Sequence, residues 1–209
     1  MLTYPLTVTE AMELNIAAVD WNAVTQTGAT ESIFTLQEEI FEHPGTRLAC
    51  TVTLNIMSEA EARAWIYTLL SLYGQSGTIL FGDPGYTGPA GNLDGSEPLV
   101  DGAGQAFAKT LAVEGLAAGQ SGVLLPGDQF QLGEGTDAHV YHVLKEVDAD
   151  SIGEAPVEIF PRIRAALLNE QPLILDNPVG VFRLAGRSQS WRIDEAQLRT
   201  LSFSLVEAI

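Results

Sequence analysis

Apolar and polar residues alternate along two segments of the chain, residues 47–54 and 200–207. A period of two places every second side chain on the same face, which is typical of a β-strand with one buried face. The inward positions are Leu48, Cys50, Val52 and Leu54 in the first segment and Leu201, Phe203 and Leu205 in the second. The apolar segment 77–81 predicts a further short strand, which the Gly/Pro cluster at 82–85 ends.

One segment has helical spacing instead. Ser58 followed by Glu61 forms a capping box, the pattern that starts many helices. The apolar positions after it, three and four residues apart, are Ala62, Trp65, Ile66, Leu69 and Leu70. Gly74 is a suitable C-terminal stop. The pattern predicts a helix over residues 59–72 that closes a core, with Trp65 as its largest buried contact.

A change of composition divides the chain. Residues 84–104 are rich in glycine and proline, which is typical of a domain boundary. A second strand-rich block follows, with predicted strands at 106–113, 122–125, 129–132, 138–147, 156–160 and 181–184. Short strands at this spacing indicate a small barrel or sandwich. The fold is therefore predicted to be mainly β (α+β), with one packing helix and a separate β-rich block.

The charge of the chain excludes polyanionic partners, both nucleic acid and anionic membrane surfaces. Ten Lys and Arg residues against 27 Asp and Glu residues give a net charge of −17. Such a chain lacks the cations that displace counterions from nucleic-acid phosphates, and it is repelled by anionic membrane surfaces. The acidity is spread over the chain, with net −8 in residues 1–83 and −9 in residues 84–186. It is therefore not a disordered acidic tail.

The single cysteine and the hydropathy pattern narrow the class further. Cys50 alone can form neither an intramolecular disulfide nor a cysteine-based zinc cluster, and its strand pattern places it in a core. No run of about 18 apolar residues suggests a transmembrane helix. Residues 1–10 lack the features of a signal peptide, so we expect synthesis in a cytoplasm.

The sequence offers no catalytic or metal-binding constellation. His139 and His142 lie three apart in a predicted strand, so their side chains point to opposite faces and do not readily share a metal. Residues 148–153 begin like a calcium loop, but Ile159 stands where the loop needs a bidentate glutamate, so a turn is the better interpretation. Nucleotide-binding, hydrolase and zinc-protease motifs are missing. We expect no cofactor and no enzymatic activity; an envelope hydrolase is a weaker alternative.

A binding function is the main alternative from the residues themselves. Tyr86, Phe130 and Tyr141 lie in the second block and are candidates for an aromatic patch that stacks on sugars. Such residues more often belong to a core. The alternative hypothesis is therefore a module that binds cell-surface carbohydrate.

Several segments resemble distal tail proteins and related minor tail proteins of long, flexible-tailed bacteriophages and phage-like gene-transfer agents. In the first part these are SIFTLQ at 32–37, HPG at 43–45, ACTVTL at 49–54, EARAWIYTLLSLYG at 61–74 and GTILFGDP at 77–84. In the second part they are PGDQFQLG at 126–133, HVLKEVDAD at 142–150, VEIFPRIR at 157–164 and PVGVFRL at 178–184. Each motif is moderately specific, and together they cover most of the chain.

The resemblance implies an architecture and a role. Residues 1–83 with 187–209 would form a ring-forming belt domain with a tail-tube-like split β-barrel or sandwich, and residues 84–186 an inserted β-rich domain. Members of this family are structural virion proteins without catalytic residues. They form a homo-hexameric ring at the tail tip, assembled in the host bacterial cytoplasm. The ring contacts the tail tube protein, the hub and the tape-measure protein, and DNA passes through it without specific binding.

An acidic run gives this role a testable detail. Glu31, Glu38, Glu39 and Glu42 precede the first basic residue of the chain, Arg47. In a ring, some of these carboxylates would face the channel and repel the passing DNA. The alternative is a solvated outer face, where most charged residues of proteins lie.

Overall fold

The computed structural model describes residues 3–209, and the fold is mainly β, as predicted. Within these residues there are two helices, α1 (Glu10–Glu13) and α2 (Glu59–Ser71). The strands are β1 (Leu6–Thr7), β2 (Ile16–Glu31), β3 (Glu38–Leu54), β4 (Ile79–Gly82), β5 (Leu99–Val100), β6 (Thr110–Glu114), β7 (Gln129–Leu132), β8 (His139–Val143), β9 (Ala155–Phe160), β10 (Val179–Leu184), β11 (Trp191–Ile193) and β12 (Arg199–Glu207). They form two sheets, each with its own apolar core.

The larger sheet has the strand order β1-β4-β10-β12-β3-β2, with β11 paired to the start of β12. The last strand, β12, runs antiparallel to β3, so the predicted pairing of the chain's end with its first eighty residues is confirmed. The inward positions predicted for β3 and β12, Cys50 among them, are all buried. Alternation along these two strands therefore located the core of the larger sheet correctly.

Helix α2 covers this core, close to its predicted bounds. The Glu61 carboxylate accepts hydrogen bonds from the backbone N–H and the hydroxyl of Ser58, at 2.9 Å and 2.7 Å, so the capping box is confirmed. Trp65 is fully buried and is the largest of the fully buried side chains. Leu70, predicted to belong to the apolar stripe, is instead 46% exposed. The stripe is narrower than predicted because the helix lies at the border of the sheet core.

The smaller sheet has the order β5-β6-β9-β8-β7, with all pairs antiparallel. Its two edges are joined by one segment: Pro172 bridges to Leu99 on β5, and Ile174 bridges to Gln131 on β7. This segment closes the sheet into a small barrel whose interior is filled by apolar side chains. The predicted strand at 122–125 is only a single bridge between Leu124 and Val147, and the strand predicted over 138–147 ends at Val143.

Strand β10 lies in a different sheet from the one predicted. The sequence assigned it to the inserted block 84–186, but it pairs with β4 and β12. Gly82 and Val179 are opposite each other, so the chain leaves the larger sheet at Gly82 and returns beside the same point. A Cβ on Gly82 would lie 2.3 Å from the carbonyl oxygen of Pro178, so this close return requires glycine. The segment between the two strands, which contains the smaller sheet, therefore spans residues 83–178.

Candidate assembly surface

A long two-stranded ribbon extends from the larger sheet. Strands β2 and β3 pair along their whole length, but β12 reaches β3 only as far as Ala49. We call residues 24–46 the arm. Apart from Gly28, Ser32 and Thr46, every residue of the arm is exposed. A two-stranded hairpin is marginally stable at best by itself, so the arm is the part of the fold with least support from its own chain.

The end of the arm is an ordered turn with an apolar surface. The N–H of Ser32 donates to the carbonyl of Gln37 at 2.9 Å, and the N–H of Leu36 donates to that of Ser32 at 2.8 Å. This turn presents Ile33, Phe34 and Leu36 with exposed fractions of 83%, 89% and 74%. Leu36 also has a φ of 56°, a left-handed conformation that is unfavourable for a non-glycine residue. No side chain of the described residues buries these three apolar groups, as expected of a contact surface.

Three of the four predicted acidic site residues surround this apolar turn. Glu31 and Glu38 are direct cross-strand partners, and Glu39 is next along the same strand, opposite Thr30. All three are exposed. Like charges directly opposite each other destabilise a hairpin. The arm therefore ends in an apolar turn beside three carboxylates that form no ion pair with any side chain of residues 3–209.

Glu42 differs from the other three because it has cationic partners. Its carboxylate accepts hydrogen bonds from Lys109 Nζ at 2.5 Å and Arg162 NH2 at 2.8 Å, both on the smaller barrel. The hydrogen bonds from Lys109 and then Arg162 hold the pKa of Glu42 below its ordinary value. No sequence pattern predicts this contact, because the two cations lie 67 and 120 residues away along the chain. Glu42 ties the base of the arm to the smaller barrel.

A buried ionic cluster joins the two sheets beside the arm. Glu207, at the end of β12, is 2% exposed. Its carboxylate accepts hydrogen bonds from Arg164 Nε at 3.0 Å, from Arg164 NH2 at 2.5 Å and from the Leu48 N–H at 3.1 Å. Arg164 NH1 also donates to Thr46 Oγ1, at the base of the arm, at 3.1 Å. The cluster thereby fixes the arm, the larger sheet and the loop after β9 to one another.

The electrostatics of the cluster favour the ionised pair. Burial would raise the pKa of Glu207, but the contact with His139 and the hydrogen bonds from Arg164 outweigh burial and hold this pKa below its ordinary value of 4.5. His139 Nδ1 lies 3.3 Å from Glu207 Oε1, without the alignment of a good hydrogen bond. A buried acid that accepts hydrogen bonds from two nitrogens of one arginine is a structural ion pair, and this one joins the two sheets.

The aromatic residues considered for sugar stacking do not form an exposed patch. Phe130 and Tyr141 are buried and stack on each other inside the barrel, with ring centroids 5.6 Å apart. Burial raises the pKa of Tyr141 to about 12. The Tyr86 hydroxyl donates to the Gln129 carbonyl at 2.9 Å and accepts the Gln129 N–H at 3.0 Å. The predicted aromatic patch for sugar stacking is therefore wrong, because two of its three rings pack into the core.

The other residues considered for chemistry have structural environments. Cys50 is 2% exposed, and burial raises its pKa to about 12, so the thiol is unreactive at neutral pH. The Asp150 carboxylate accepts the N–H groups of Ile152 and Glu154, each at 2.9 Å, which makes residues 148–153 a turn. Among residues 3–209 no three His, Cys, Asp or Glu side chains are grouped to hold a metal ion.

Comparison with known proteins adds no assignment. No protein-family model matches the chain. No curated protein matches it at a significant level. In the described part of the chain, neither helix is long and apolar enough to cross a membrane.

Proposed function

We propose that this chain is a structural subunit of a phage tail, similar to a distal tail protein, that assembles into a ring at the tail tip. In this proposal the larger sheet with α2 is a tail-tube-like belt domain that forms the ring. The smaller barrel is an insertion in it. The chain is not an enzyme and needs no cofactor. Its partners are further copies of itself, with six in the ring, and the tail tube, hub and tape-measure proteins.

The arm is the observation that carries this proposal. It offers an apolar turn, three exposed carboxylates and the outer edge of β2, a 16-residue strand that pairs with β3 alone among the strands of the described residues. Monomeric proteins generally cover or shorten such edges because they recruit other chains. The base of the arm is nevertheless held by the ion pairs of Glu42 with Lys109 and Arg162 and by the hydrogen bond from Arg164 to Thr46. A projection that is fixed at its base and unsupported at its end suits assembly with another subunit.

The charge supports a channel for DNA. A ring of six such chains would have a net charge of about −100, because each chain carries −17. Phosphate contacts require cations, so this ring would let DNA slide without holding it. Glu31, Glu38 and Glu39 are exposed and available for contact with a neighbouring subunit, whereas Glu42 is already paired within the chain, so the proposal assigns none of these four acids to the lumen.

The mass of the purified full chain, by native mass spectrometry and light scattering, tests the proposal. We expect a closed oligomer, with a central hole visible in negative-stain micrographs, and no binding of duplex DNA in fluorescence anisotropy. Replacing residues 28–41 with Asn-Gly shortens the arm to a tight hairpin between the paired residues Thr27 and Glu42. We expect this variant to be a folded monomer. A wild-type chain that stays monomeric at high concentration would contradict the proposal.

A further inference from the structure

A groove with the opposite charge character to the arm lies at the far side of the larger sheet. It runs between the outer face of α2 and the β11–β12 hairpin and has a volume of about 170 Å³. Its lining comprises Glu59, Arg63, Ile66, Tyr67, Trp191, Ile193 and Arg199. Tyr67, Trp191 and Ile193 are 61%, 41% and 48% exposed, so the apolar wall has no cover in the single chain.

We propose that this groove receives the turn of the arm, residues 31–39, of a second copy of the chain. The inference rests on the proposed ring function and names the contact that links neighbouring subunits. Ile33, Phe34 and Leu36 of one copy pack on Tyr67 and Trp191 of the next. The carboxylates beside the turn then meet the arginines of the groove.

Charge complementarity is the first argument for a second copy as the occupant. The arm turn carries three acids, and the chain has no basic residue before Arg47. The groove holds two arginines against one acid: Glu59 lies 3.3 Å from Arg63 and 3.8 Å from Arg199. Docking would place cations beside the facing pair Glu31 and Glu38, which repel each other in the isolated chain. Both surfaces are apolar at the centre and charged at the rim, as in specific interfaces.

The position of the two surfaces is the second argument. Strand β3 begins at Glu38, beside the arm turn, and ends at Leu54, just before α2. Met57 is bridged to Arg199, so the groove lies near the far end of β3. Sixteen residue steps of extended strand separate the two ends by about 50 Å. The arm of a chain therefore cannot reach the groove of the same chain. A contact between two different surfaces is head-to-tail, the kind that closes into rings when its rotation allows.

Charge reversal in the full chain tests this contact. Glu38→Arg and Arg63→Glu should each raise the dissociation constant of the oligomer at least tenfold, and the double variant should recover most of the loss. Glu146→Arg and Arg187→Glu make the same changes of net charge at exposed positions away from both surfaces and should have little effect. Circular dichroism should show every variant folded, because the changed side chains are exposed.

A mixing experiment separates this contact from other modes of assembly. Phe34→Asp disables the arm and leaves the groove intact, whereas Arg63→Glu combined with Trp191→Ser does the reverse. Each variant alone should be monomeric, and an equimolar mixture should give a heterodimer and nothing larger. If all these variants still form the same ring as the wild type, the docking contact is wrong, but the proposed ring function is not contradicted. A wild-type chain that stays monomeric would contradict both the docking contact and the ring function.

Discussion

Trp65 connects helix α2 to the rest of the larger core through both its ring and its N–H group. Its indole ring lies 5.3 Å from the ring of Phe203 on β12, between centroids. Its Nε1 donates to the carbonyl oxygen of Met12 at 3.2 Å, which also holds the N-terminal helix against α2. A buried aromatic residue with a satisfied polar atom contributes through apolar area and hydrogen bonding together.

Replacing Trp65 by alanine should therefore lower the free energy of unfolding by about 3–5 kcal/mol, because truncation leaves a cavity and removes the hydrogen bond to the Met12 carbonyl. Urea denaturation at a fixed protein concentration measures this loss. Leu70→Ala, on the exposed side of the same helix and outside the groove, is the matched control and should change stability by about 1 kcal/mol or less. A loss below about 1 kcal/mol for the Trp65 variant would show that α2 does not depend on this contact.

The Glu207–Arg164 pair predicts how stability changes in acid. Because the folded-state pKa of Glu207 is below its ordinary value of 4.5, its contribution is present above that pH and is lost as pH falls further. Glu207→Gln leaves Arg164 buried without its counterion and should cost about 3 kcal/mol at neutral pH. The difference between wild type and variant should be constant from about pH 7 to about pH 4.5 and should shrink as the pH falls from there towards about pH 2, measured by urea denaturation. An unchanged difference across this range would contradict the assignment.

At the scale of elements, the sequence pattern correctly predicted those helices and strands that bury one regular face. Helix α2 and the inner half of β3 were found because each has one buried face with a regular period. Strand β2 was missed because most of it is exposed on both faces, so its residues show no alternation. Strand β10 was assigned to the wrong sheet because its partners, β4 and β12, are determined by chain topology. The ion pair of Arg164 and Glu207 was not predicted either, because chain topology also determines which charged residues meet.

The position of β10 determines which deletion of the inserted block leaves a folded larger sheet. Removing residues 84–186 would take out β10, which lies between β4 and β12, and should leave an unfolded chain. Replacing residues 83–178 with Asn-Gly keeps β10 and joins the opposite residues Gly82 and Val179 by a two-residue hairpin. We expect this variant to keep a cooperative thermal transition, at reduced stability because Glu207 loses Arg164. Circular dichroism distinguishes the two variants, and an unfolded second variant would show that the sheets depend on each other.

At the scale of the whole molecule, the net charge and the arm contact act over different distances. Chains with a charge of −17 repel one another across tens of ångströms. The proposed contact between arm and groove involves groups a few ångströms apart and partly removed from water. Salt shortens the range of electrostatic interactions from about 30 Å at 0.01 M to about 8 Å at 0.15 M. It therefore weakens the long-range repulsion much more than the docked contact.

Assembly should consequently increase with salt over this range, although the interface contains ion pairs. We expect the oligomer fraction, measured by sedimentation at constant protein concentration, to rise from about 0.01 M to about 0.15 M sodium chloride. The shortened-arm variant, in which residues 28–41 are replaced with Asn-Gly, should stay monomeric throughout. The Glu38→Arg and Arg63→Glu double variant should follow the wild type, since its net charge is unchanged. An oligomer that dissociates steadily as salt rises would show that the interface is held mainly by exposed ion pairs, and that the apolar residues of the arm turn contribute little.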